Sequence, residues 1–127
     1  MPLLITCEHA GNEIPDEYKY LFQEHQQVLE THRGWDIGAR EVAEYLALEL
    51  RAPLFQCNIS RLLIEANRSL HNPQLFSEFT DSLSKSEKQK LIDTIYLPYR
   101  NEVENYLHRQ TVPFIHLSIH SFTPIWN

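Results

Sequence analysis

Short apolar runs that alternate with helical periodicities are the feature that most restricts how this chain can fold. PLLIT (2–6) stops at CEHAGNEIP (7–15), where Gly11, Asn12 and Pro15 mark a loop. From Asp36 to Leu50, small or apolar residues at Ala39, Val42, Ala43, Leu46 and Leu50 follow the i, i+3, i+4, i+7 spacing of an amphipathic helix, with Asp36 at its beginning. After Pro53, LFQCNIS (54–60) reads as a second strand and RLLIEAN (61–67) as a short third one ending at Asn67 and Arg68. Residues 68–83 read as an irregular polar loop. Ser84 and Glu87 then have capping-box spacing, and Leu91, Ile92, Ile95, Tyr99, Val103, Tyr106 and Leu107 predict a long helix to about residue 109, kinked at Pro98. The last run, 112–119, is apolar enough for a central strand. This alternation predicts an α/β fold with a mostly parallel sheet.

Size and charge narrow the function. A chain of 127 residues can build one domain with a real core, and no repeat or Gly/Ser linker divides it, so 1–127 is read as a single domain. The formal net charge of -6 gives no global attraction for phosphate backbones or anionic lipid, so nucleic acid and membrane surfaces are not expected partners. No apolar run approaches the roughly 18 residues of a membrane span. The N-terminal residues lack the basic and long apolar regions of a signal peptide, which predicts a cytoplasmic protein. Cys7 and Cys57 each follow an apolar run and are expected to be buried, reduced thiols.

In open parallel sheets, ligands gather beyond the carboxyl ends of the strands. His9, Ser60–Arg61, Asn67–Arg68 and His120 all lie at or just beyond predicted strand ends, and Asp36 opens a helix that could begin on the same edge. Two histidines and a carboxylate from three segments suit a zinc site with an open fourth position. Such an ion acidifies water and polarises a carbonyl, the two requirements of amide hydrolysis. Spacing alone leaves loop or core histidines as an alternative, since neither HExxH nor CxxC occurs. His116, four residues before His120, and Cys7, two before His9, are further candidate ligands, while His25, His32, His71 and His108 sit in polar surroundings expected of the surface. Arg61, Asn67 and Arg68 form a donor cluster. Guanidinium groups suit a substrate carboxylate, although an internal ion pair such as Arg61 with Glu65 would use the same residues.

Taken together, CEHAGNEIP (7–15), HRGWDIGAREVAEYLA (32–47), SRLLIEANRS (60–69) and SIHSFTP (118–124) resemble the N-formylglutamate amidohydrolase family. The resemblance implies a three-layer phosphorylase/hydrolase-like α/β fold with a mostly parallel mixed sheet, related to zinc exopeptidases and zinc-dependent cell-wall amidases. It also implies a divalent metal, zinc being preferred for imidazole ligands, and hydrolysis of the amide bond of a small N-acyl amino acid. Carried over, His9, Asp36 and His120 match metal ligands; Asn67 and Arg68 resemble a pair that holds a substrate carboxylate, with Arg61 assisting or polarising the scissile carbonyl.

Family members are roughly twice this length, so the chain is expected to be the N-terminal portion of an amidohydrolase-like domain. Exposed sheet edges and apolar faces would then favour self-association. Amide cleavage also needs a carboxylate that takes a proton from water; Glu8 and Glu13, which flank His9, are the candidates here. Whether this polypeptide is itself an enzyme is therefore open. The alternatives are a noncatalytic member that keeps the pocket as a metal- or carboxylate-binding module, and an amidase acting on cell-wall peptides.

Overall fold

A computed structural model describes residues 2–122. Three parallel strands, β1 (Leu3–Cys7), β2 (Leu54–Gln56) and β3 (Ile115–Ser118), form a sheet in the order β2-β1-β3. Between β1 and β2 lie a 3₁₀ turn (Asp16–Phe22), the short helix α1 (Gln26–Leu29) and α2 (Ala39–Leu50). Between β2 and β3 lie a 3₁₀ turn (Glu78–Thr80) and a long helical rod made of α3 (Lys85–Leu91), a π-turn (Ile92–Tyr96) and α4 (Leu97–His108).

Helices cover both faces of the sheet, as the two-residue period of a strand requires. Ile5 and Cys7 of β1 pack with Ala39 and Ala43 of α2, supported by Leu54 and Leu117. On the opposite face, Cys57, Ala66 and Tyr99 of α4 pack with Phe55 and Val103. Small residues let α2 approach the sheet closely, but only three of the five residues of its predicted stripe, Ala39, Ala43 and Leu46, face the core: Val42 and Leu50 are exposed. The main core lies beside the sheet, where Tyr18, Phe22, Leu62, Leu63, Ile64, Leu75, Leu83, Leu91 and Tyr96 form one cluster.

Two expectations need correction. RLLIEAN is not a strand but a buried run of turns. Leu63 N–H bonds to Ser60 C=O, Leu62 N–H to Ser60 Oγ and Glu65 N–H to Leu75 C=O, so these backbone donors are met by turns and a neighbouring loop rather than by a ladder. The last strand is shorter than predicted and is not central: β1 holds the middle, and among the described residues β3 lies at the edge. The long helix does form from the expected capping box at Ser84 and Glu87. Pro98, which has no N–H and whose ring crowds the carbonyl four residues back, is accommodated by the wider π-turn just before it.

Because all pairings are parallel, β1 and β3 deliver the chain to the same edge. The connections leave β1 on opposite sides, first to β2 and later to β3. The crevice beside the carboxyl end of β1 is therefore where such sheets collect ligands.

Candidate metal centre and its flanking clefts

His9 sits two residues beyond β1 and His120 two residues beyond β3. Asp36 is brought to them from the loop before α2, where its N–H donates to the His9 C=O at 3.0 Å and its C=O accepts from Ala39 N–H. Gly11 fixes the intervening turn. A Cβ there would stand 2.6 Å from the Asn58 backbone oxygen, so only glycine lets the loop after β1 lie against residues 57–60.

The three side chains converge, with one ligand atom of each within 4.8 Å of the others. His9 Nδ1 lies 3.3 Å and His120 Nδ1 2.9 Å from the same oxygen, Asp36 Oδ2. A tetrahedral ion with bonds of about 2.0–2.1 Å keeps its ligand atoms roughly 3.3 Å apart. Two imidazoles and one carboxylate at this spacing fit a divalent cation with a position left open for water or substrate.

Each histidine also has an outward nitrogen, and each meets a buried acid. His9 Nε2 contacts Glu65 Oε1. His120 Nε2 lies 3.3 Å from Glu8 Oε1 and 2.9 Å from Ser118 Oγ. Glu65 is held further by Arg61 Nη2 at 2.8 Å and by the Asn67 N–H at 3.0 Å. Glu8 accepts from Tyr99 OH at 2.6 Å and from Ser118 Oγ.

These contacts set the charges. Burial pushes the Glu8 carboxyl up, but bonds from His120, Ser118 and Tyr99 outweigh it and hold the group down at about 2. Burial likewise opposes the ionised forms of Asp36 and Glu65; bonds from His120 and His9 keep Asp36 below the usual carboxylate range, and His9 with Arg61 does the same for Glu65. Asp36 and then Glu8 raise His120 to about 9. His9 is also raised, burial being overcome by Asp36 and Glu65.

The other candidates fall outside the cluster. Glu13 is exposed, its backbone bridges Ile59, and its carboxylate makes no contact with the three residues. His116 is turned to Thr6, with Nε2 2.8 Å from Oγ1. Cys7 is buried against α2, where burial, with Glu8 and Asp36 adding, pushes its thiol up to about 12; both cysteines are free.

Two clefts flank the centre. Arg61 and Arg68 share one of about 560 Å³ with Arg33, His32 and Glu65. Arg61 is already partly engaged, with Nη1 3.7 Å from Asp36 and Nη2 on Glu65, so the internal ion pair and the donor cluster are both present. Asn67 borders a second cleft of about 340 Å³, with Glu8, Tyr99 and Ser118. Asn67 and Arg68 thus part to different clefts. Arg33 and Glu65 line the first cleft, and Tyr99 and Ser118 the second; the sequence reading did not assign these four. The last two residues of SIHSFTP, Thr123 and Pro124, lie outside the described residues.

Fold and site together define an α/β protein with a metal-competent His/Asp/His centre at the carboxyl edge of a parallel sheet. Residues 1–127 match the family model for N-formylglutamate amidohydrolase, and the chain belongs to that family. It is similar in structure to the gene product Atu2144 from Agrobacterium tumefaciens, with a TM-score of 0.87 and 28% identity over 98% of this chain and 53% of that one. The chain therefore spans about half the length of that protein. No curated protein gives a significant match. Among the described residues, no helix is long and apolar enough to cross a membrane.

Proposed function

We propose that the protein hydrolyses the amide bond of an N-acyl amino acid, N-formylglutamate or a close relative, at a zinc ion held by His9, Asp36 and His120. The observation that carries this reading is the convergence of both Nδ1 atoms on Asp36 Oδ2 beside a cleft bordered by three arginines. When bound, zinc would polarise the acyl carbonyl and acidify water. The chain's own residues bind and orient: Arg68 and the exposed part of Arg61 face the cleft and would take the substrate's carboxylates through paired hydrogen bonds. Arg61 is also tied to Glu65 and Asp36, so it would set substrate position relative to the histidines.

Family membership supports the reaction class, and the donor set supports zinc. Self-association through β3 belongs to the same reading and is argued below.

The test is elemental analysis of the purified chain together with release of formate from N-formyl-L-glutamate. About one zinc per chain and turnover, both lost in His120→Ala with the fold retained, is the expected result. Unchanged metal content in folded His120→Ala would overturn the ligand assignment. Metal uptake without turnover would support a metal- and carboxylate-binding module instead.

A further inference from the structure

We infer that Glu65 and Glu8 are a matched pair of positioning residues, each holding the outward Nε2 of one histidine so that its Nδ1 faces Asp36. The inference rests on reading the His9–Asp36–His120 group as a metal centre, and it concerns what keeps those rings in register.

An imidazole can rotate about its Cβ–Cγ bond and can carry its proton on either nitrogen. A carboxylate on Nε2 removes both freedoms: it fixes the ring plane and keeps the proton on Nε2, leaving the Nδ1 lone pair for a cation. Glu65 does this to His9 directly, whereas Glu8 does it to His120 from 3.3 Å and through Ser118, whose Oγ lies 2.9 Å from Nε2 and donates to Glu8 Oε1. Glu65 rises from the run of turns at 61–67, where Arg61 and the Asn67 N–H fix it. Glu8 directly follows β1, where Tyr99 from α4 and Ser118 from β3 fix it. Both acids are buried, at 4% and 7% exposure. A buried carboxylate is tolerated only when its oxygens are paired, so each is set by several independent contacts before it touches its histidine.

This geometry also reassigns Glu8. Its Oε1 is occupied by Ser118 and His120, and its Oε2 by Tyr99. Glu8 addresses the outer nitrogen of His120, whereas Asp36 addresses the inner one. It is placed to orient a ligand rather than to take a proton from water.

Cobalt(II) is the probe, because its visible absorption reports ligand geometry as well as occupancy. The variants are Glu65→Ala, Glu8→Ala and the closer substitutions Glu65→Gln and Glu8→Gln, with affinity measured by competition against a chromophoric chelator. Each alanine variant is expected to bind cobalt about 10–100-fold more weakly, with an altered absorption band. Each glutamine variant, which keeps the shape and one acceptor oxygen, should recover part of the loss. If the alanine variants do not fold, a folded glutamine variant with wild-type affinity and an unchanged band overturns the inference. Folded alanine variants with wild-type affinity and band do the same, and leave the metal reading intact. No cobalt uptake by the wild-type protein overturns the metal reading and this inference with it.

Discussion

His120 is held between two acids, Asp36 on its inner nitrogen and Glu8 on its outer one, and that position makes the metal-free protein sensitive to pH. The raised histidine contributes stability that is full below its ordinary pKa of 6.5 and is lost as pH climbs through about 9. The lowered Glu8 contributes stability that is full above its ordinary value of 4.5 and is lost as pH falls towards about 2. The chelator-treated protein should therefore be most stable between about pH 4.5 and 6.5, with melting temperature falling on both sides. His120→Ala should flatten the alkaline limb, and thermal melts from pH 3 to 10 would show it. Equal melting temperatures at pH 6 and 9.5 in the wild-type protein would contradict the charge arrangement. The placement of His9 and His120 just beyond strand ends was legible in the sequence because each follows an apolar run that ends at a loop. Glu65 was not, since an acid inside RLLIEAN reads first as a partner for Arg61, and only the fold reveals that it also reaches His9. Glu8 and Glu13 looked equivalent as neighbours of the same histidine. The strand pleat and the turn after it separate them, burying one against β3 and α4 and leaving the other exposed.

At the level of elements, alternation of apolar runs with helical periodicity was enough for the α/β class, the capping box and the strand that delivers His9. It misassigned RLLIEAN because an unbroken apolar run reports burial and says nothing of where the backbone hydrogen bonds go. Leu62, Leu63 and Ile64 are all buried, but in a cluster with Tyr18, Phe22, Leu75 and Leu91 rather than in the sheet. This run carries both Arg61 and Glu65, so its packing anchors one side of the metal centre. Leu63 is fully buried. Leu63→Ala should cost about 2–5 kcal/mol of folding stability, read as a lower denaturation midpoint with an unchanged slope. A loss under about 1 kcal/mol would mean that the site collapses around the missing side chain and that the run is not the anchor its burial indicates.

For the molecule as a whole, the sheet poses the remaining question. β1 is paired on both sides, yet among the described residues nothing pairs with the outer edge of β3. Beside that edge, Val112, Phe114 and Ile115 are substantially exposed. Unpaired edges with apolar flanks template further strands unless charge, proline or a covering element blocks them. Pro113 precedes β3, but the strand itself carries no charged residue other than a titratable histidine. The related Agrobacterium protein has almost as much chain again outside the matched part. In the 127-residue polypeptide alone, a second copy is the available partner. Sedimentation velocity over a wide concentration range should show its average mass rising with concentration. Ile115→Lys places a charge on an exposed side chain and should suppress that rise with little change in melting temperature, because Ile115 is 43% exposed and contributes little to the core. A wild-type chain that stays monomeric at every concentration would show that the β3 edge is blocked without help from another molecule. Association that persists in Ile115→Lys would move the contact elsewhere, the exposed Val42, Tyr45 and Leu48 of α2 being the next apolar surface to test.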